Sequence, residues 1–298
     1  MPETVVNTET VAEVQPRRSE WKRFRRVFFQ RKVAIFALII ICIMIFTAVF
    51  APWLAPYDPN EQNLSNSMAP PSREHLLGTD RLGIDTFSRL IWGARTALIV
   101  GFATAFISAA IGTALGMIAG YFGGVISTVI MRFMDALMGF PMIVLALLLA
   151  GVLGSGMQNI IIALTVASVP GYVRLMYGMT LSVKENDYIL AQRSIGSSSA
   201  RTIWKHIFPN ALQPMIVMLT SALGGIIMAE SGLSFLGVGI TAPDVAWGSM
   251  VADGFKYLQT YPILSFAPGV CIMLVVFSFN ILGDSLRDAL DPRLRGTL

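Results

Sequence analysis

Glu230 is the residue whose setting most suggests chemistry. It follows 23 uncharged residues, Ile207 to Ala229, and precedes the uncharged stretch Ser231-Gly232-Leu233-Ser234-Phe235-Leu236-Gly237-Val238-Gly239. An ionisable side chain enclosed by so long an apolar run is a candidate functional group by default. Two readings stand for it: a carboxylate lining a path through the protein, or a cap at the outer end of an apolar helix. The other reactive residue types are scattered. The two histidines are His75 and His206, and the two cysteines, Cys42 and Cys271, both lie inside apolar runs. No His-x3-His pair, metal cluster or nucleophilic triad is spaced for catalysis, so neither catalytic nor metal-binding residues are expected. The chain contains no Gly-x4-Gly-Lys-Ser/Thr phosphate loop, and no nucleotide cofactor is expected on it.

The elements that must hold Glu230 follow from composition. Of 298 residues, 54% are apolar and only 13% are charged, about half the roughly 25% usual in soluble domains. So few charges cannot cover a soluble surface, and so many apolar residues exclude a disordered chain. An integral membrane protein remains. A helix needs about 20 apolar residues to cross the hydrocarbon. Six runs meet that length, at about 33–57, 96–120, 133–152, 159–181, 207–229 and 258–283. Breaks at Tyr121-Phe122-Gly123-Gly124 and at Gly151, Gly154 and Gly156 divide the longer uncharged stretches. The expected fold is all-α, a polytopic bundle of six transmembrane helices. No run shows the period-two alternation of a membrane barrel.

Orientation follows from the cations. With the N-terminal tail inside, the inner segments hold 17 of the 22 Lys and Arg residues and the outer segments 5: Arg73, Arg81, Arg89, Arg95 and Lys256. Both termini are therefore expected to be cytoplasmic. The resulting organisation is a tail over 1–32, a first span over 33–55, an outer loop over 56–95, a core over 96–285 with an inner loop at 184–209, and a tail over 286–298. Trp21, Phe24 and Phe28 recur at helical spacing among basic residues, which suggests an amphipathic helix on the inner leaflet over 17–32. The basic balance is thus a topology signal, and the expected partner is a lipid bilayer, with no nucleic acid.

Within the second span, Thr104, Ser108, Gly112, Gly116 and Gly120 recur every fourth residue. Such a stripe lets two helix backbones approach in a membrane. Pro141 and Pro170 fall inside spans three and four, where a missing backbone donor favours a kink. Asp135 and Arg174 fall near inner span ends, where charged heads reach the interface.

The inner loop from Glu185 to Asn210 reads as two short helices flanking Gly196, with Ser197-Ser198-Ser199 suited to a turn and helix cap. Its second half places Ile203, Trp204 and Ile207 on one apolar face. Such a face either takes a partner or packs beneath the protein's own spans.

At this loop the chain resembles the permease subunits of bacterial ABC importers. Their hallmark is a Glu-Ala-Ala triplet, a Gly four residues later and a Pro thirteen beyond. Ala191, Gly196 and Pro209 match it, while Leu190 and Gln192 depart from it. Further stretches resemble the dipeptide/oligopeptide/nickel permeases, and the second permease of their heteromeric pair. They are Ala55-Pro56-Tyr57-Asp58-Pro59, Leu77 to Asp85, Ser88 to Arg95, Ser234-Phe235-Leu236-Gly237, Trp247-Gly248 and Phe279 to Arg293.

This resemblance implies a transport subunit, not an enzyme, in the plasma (inner) membrane of a bacterium or archaeon. It implies a second homologous permease, one or two ABC ATPase subunits that hold ATP and Mg, and an extracytoplasmic solute-binding protein. It also implies that Ala191, Gly196, Ser197, Ile203, Trp204, Ile207, Phe208 and Pro209 couple the chain to the ATPase. The expected solute is a dipeptide or oligopeptide. Nickel or another small solute is the alternative within the family, and a self-sufficient gradient-driven carrier the alternative outside it.

Overall fold

A computed structural model describes residues 31–290; the amphipathic segment expected over 17–32 lies almost wholly outside the described residues. The described chain is helical, with no strand among the described residues and one isolated bridge between Thr79 and Asp85. In order it contains α1 (Lys32–Val49), α2 (Ala51–Leu54), α3 (Thr86–Phe122), α4 (Gly124–Met138), α5 (Met142–Leu153), α6 (Met157–Lys184), α7 (Asp187–Ser194), α8 (Ser199–Thr202), a π turn (Ile203–Ile207), α9 (Phe208–Phe235), α10 (Trp247–Phe255) and α11 (Ile263–Leu290). Among the described residues five helices are long and apolar enough to span a membrane, or six if α4 and α5 count as one bent span.

Several boundaries differ from the sequence reading, each for a local reason. The first helix stops at Val49 rather than continuing through 57. Pro52 has no N–H to extend α1, and it sits instead in the first turn of α2. The second begins at Thr86, ten residues before the expected 96, so the end of the 56–95 loop is helical. Asp85 caps α3 by accepting from Ser88 N at 2.7 Å. Its charges are accommodated there: Arg89 pairs with Asp80 at 2.7 Å, and Arg95 lies over Trp92. At 37 residues, α3 is about 55 Å long and projects well beyond the hydrocarbon.

The third expected span, 133–152, is two helices bent by 89°. Pro141 starts α5, and the residue before a proline disfavours the helical region, so α4 ends at Met138. By contrast α6 continues unbroken through Pro170. The fifth helix runs to Phe235 instead of ending near 229, and Gly237 at φ +81° follows its end. The last runs from Ile263 to Leu290, so the start of the expected 286–298 tail is helical.

The small-residue stripe of α3 faces α6, and these two helices share the most extensive packing in the molecule. A Cβ at Gly112 would overlap Tyr172, one at Gly116 would lie 2.6 Å from Met176 Cβ, and one at Gly120 2.7 Å from Thr180 Cβ. Hydrogen bonds and ion pairs sort the connections to two ends of the bundle. At one end Arg31 pairs with Asp288 at 2.7 Å, and Lys184 Nζ donates to Tyr121 O at 2.7 Å. At the other, Asn60 Nδ2 donates to Pro243 O, Gly156 N to Gly239 O, and Trp247 Nε1 to Leu90 O.

Candidate functional site

The segment 185–210 forms a helical hairpin at the Tyr121–Lys184 end. Asn186 Nδ2 donates to Val183 O at 3.0 Å, closing α6, and α7 follows. Gly196 turns the chain at φ +80°, a backbone region that β-branched residues avoid. Ser197 N donates to Gln192 O at 3.0 Å, and Ser198 Oγ caps α8 by accepting from Arg201 N at 3.4 Å. The π turn then merges into α9, whose first turn carries Pro209, where a missing N–H costs nothing. From Ser199 to Phe235 the helix runs for 37 residues.

The hairpin is held by few contacts. Ile189 and Ile207 are both 0% exposed and pack with Tyr121, Val183 and the half-buried Ile203. Trp204 is instead 63% exposed, and Leu190 and Ile195 on the first arm are exposed as well. The single apolar face expected for Ile203, Trp204 and Ile207 is therefore split. The i→i+5 spacing of the π turn widens the angle between Trp204 and Ile207. Two residues face inward as anchors while the indole faces out, against Phe208 at 5.4 Å between ring centroids. Ala191, Gly196 and Pro209 are exposed.

Glu230 lies at the opposite end of the same continuous helix. It is 1% exposed and one and a half turns short of the end of α9, so it does not cap the helix. Ser234 Oγ donates to its carboxylate at 2.8 Å and Ser231 Oγ at 3.3 Å. Ile240 N in turn donates to Ser234 Oγ at 3.1 Å. The glycine-rich stretch after Glu230 thus folds back onto α9. Gly248 allows α10 to close on the same turn, because a Cβ there would collide with the backbone of Ser231.

A cap of connecting segments covers this end, and most of it was missed from sequence. His75 Nδ1 and Asp85 Oδ1 are 2.9 Å apart, and Asp85 also caps α3. Asp80 accepts from Leu82 N at 2.8 Å and from Ile84 N at 3.0 Å besides holding Arg89. Tyr57 N donates to Ser88 Oγ at 3.1 Å. Trp247 packs against Gly93, where a Cβ would overlap its ring. The cap could have been suspected from Asp85, a favoured helix-capping residue type standing shortly before the apolar residues Leu90-Ile91-Trp92. Between the segments 60–89 and 240–264 the cap leaves an open cleft of about 560 Å³.

Residues 112–296 match the family described as binding-protein-dependent transport system inner membrane component. Residues 19–71 match the N-terminal TM domain of oligopeptide transport permease C. The dipeptide transport system permease protein DppC of Alkalihalophilus pseudofirmus is 41% identical over 277 residues, covering 93% of this chain and 91% of that protein. The oligopeptide transport system permease protein OppC of Bacillus subtilis is 40% identical with the same coverage. The glutathione transport system permease protein GsiD of Shigella flexneri is 40% identical over 298 residues, covering 99% of this chain and 97% of that protein. Among solved structures, a chain of the MetNI methionine ABC transporter in an inward-facing conformation superposes with a TM-score of 0.55 at 19% identity. It covers 68% of this chain and 96% of its own length, a likeness of fold.

Proposed function

Because the chain belongs to the family of binding-protein-dependent transport system inner-membrane components, as an ABC importer permease subunit of its peptide and glutathione branch, we propose that it forms half of a translocation path for dipeptides or oligopeptides. The other half comes from a second homologous permease. ATP and its magnesium ion sit on one or two separate ATPase subunits, and an extracytoplasmic binding protein delivers the solute. The assembly lies in a bacterial or archaeal inner membrane, with both termini of this chain cytoplasmic.

The observation that carries this reading is the hairpin at 185–210. It presents Leu190, Ile195 and Trp204 to solvent at the end of the bundle where the sequence places its cations. Exposed apolar side chains on a hairpin outside the membrane, which also exposes Arg201 and Lys205, suit a protein partner. The hairpin is also joined to everything that must move. Its anchors Ile189 and Ile207 touch the ends of α3 and α6 at Tyr121 and Val183. Its second arm is continuous with α9, about 55 Å of helix that ends beside Glu230 and the outer cap. Closure of the ATPases would tilt this lever and open the bundle outward, and hydrolysis would return it. Residues Ala191, Gly196, Ser197, Ile203, Trp204, Ile207, Phe208 and Pro209 form the coupling element in this account, with Trp204 as contact and Ile207 as anchor.

Uptake tests the proposal. Proteoliposomes holding both permeases and the ATPases should import a labelled dipeptide only with ATP inside and loaded binding protein outside. Import by this chain alone under a proton gradient would replace the ABC mechanism with a carrier. ATP-driven import of nickel but not of any dipeptide would replace the solute.

A further inference from the structure

We propose that the cleft between the outer segment 60–89 and the segment 240–264 is a subsite for the solute, built for a zwitterion such as a short peptide with free ends. The proposal rests on the peptide-import reading and adds to it a place on this chain where the solute is held.

The two walls of the cleft differ in charge. The 60–89 wall carries Arg81 and Arg89, and the facing wall carries Asp244 and Asp253. Asp80 belongs to the first wall, but its carboxylate is already satisfied by Arg89 and by two backbone N–H groups. It therefore holds Arg89 in place and leaves that wall cationic. On the facing wall Asp244 is exposed and makes no ion pair among the described residues, while Asp253 meets only Lys256, at 3.5 Å between two exposed groups. Such a surface pair is weak, so the carboxylates remain available to an ammonium group.

The second observation is a pair of orphaned polar atoms on the cationic wall. Thr86 is 2% exposed, lines the cleft, and its hydroxyl has no hydrogen-bond partner. Arg89 Nε, from the same turn of α3, is likewise buried without a partner. Buried polar atoms are almost always paired, and those that are not call for a missing partner. A carboxylate entering from the cleft would supply acceptors to both, the first turn of α3 itself being already capped by Asp85. An extended dipeptide separates its charged ends by about 7 Å. A cleft of about 560 Å³ lies within the range of small-ligand sites. Its concavity and its orphaned wall favour a small solute over a docked protein surface.

The test uses the full permease–ATPase complex in lipid nanodiscs without binding protein, with saturation-transfer NMR on Ala-Phe, N-acetyl-Ala-Phe and Ala-Phe amide. Ala-Phe should bind, and each capped analogue should bind about tenfold more weakly, the loss of one charged hydrogen-bonded end. The double variant Asp244→Asn/Asp253→Asn should remove the preference for a free amine. Thr86→Val should weaken Ala-Phe with membrane level and thermal midpoint unchanged. Equal binding of capped and free peptides, or no binding of Ala-Phe, would overturn the subsite. So would variants that leave Ala-Phe binding intact but weaken ATPase stimulation by loaded binding protein, which would make the cleft a docking contact. Dipeptide uptake by the intact system keeps these failures separate from failure of the peptide reading itself.

Discussion

The two ends of the bundle solve opposite problems. Apart from Thr86 Oγ1 and Arg89 Nε, the cap pairs its buried polar groups internally: Asp85 serves both His75 and the first turn of α3, Asp80 holds Arg89 and a turn, and Trp247 bonds Leu90 O at 2.9 Å. The hairpin at 185–210 does not complete itself. Two isoleucines anchor it, while an indole and two aliphatic side chains remain in water. Where polar groups are satisfied internally, a surface can stand alone. Where apolar groups are left outside, another surface is expected to cover them. In the proposed account this contrast assigns the energy-supplying partner to the hairpin and a holding role to the cap.

The largest expected effect that tests this contrast is on the cap. Asp85→Ala removes a helix cap and the partner of His75 together, and should destabilise the protein by about 3 kcal/mol. Limited proteolysis of membrane vesicles should show new cleavage in 56–85, and Asp85→Asn, which retains the cap, should show less. A smaller but more selective effect is expected at the hairpin. Trp204→Ala should leave stability within about 0.5 kcal/mol, because the side chain is exposed, yet weaken ATPase binding by about 2 kcal/mol in a titrated pull-down. Equal losses of stability and binding would erase the distinction between anchor and contact. Smallest is Glu230→Gln, which preserves shape and removes a charge held by Ser231 and Ser234. Transport should fall by about tenfold with normal membrane levels. Unchanged transport together with unchanged ATPase stimulation would reduce Glu230 to a packing role.

What could be read from the sequence depended on the range of the signal. Apolar length located the long helices, and spacing by four located the stripe that packs α3 on α6, because both are properties of one helix. Glycine at 196 between two helical stretches marked the turn of the hairpin. Signals that depend on a neighbour were lost. Charge counting started the second span after Arg95, since nothing in a linear reading says that Asp80 will neutralise Arg89. Pro141 marked a kink in the third span, but the apolar run around it gave no sign that the bend would reach 89°. Helical-wheel reasoning placed Trp204 with Ile207, because it assumed α geometry where the chain makes a π turn. The cleft was invisible for the same reason, its walls being about 160 residues apart in the chain.

The central claim, that the energy of transport enters at the hairpin, is tested most directly at Gly196. A side chain there would meet nothing within 4 Å, so a substitution acts through the backbone alone. Valine strongly disfavours φ +80°, whereas asparagine tolerates it. Gly196→Val should insert at normal levels, lose ATPase co-purification and lose uptake, and Gly196→Asn should retain most of both. Full ATPase retention by Gly196→Val in detergent, with uptake intact, would contradict the account.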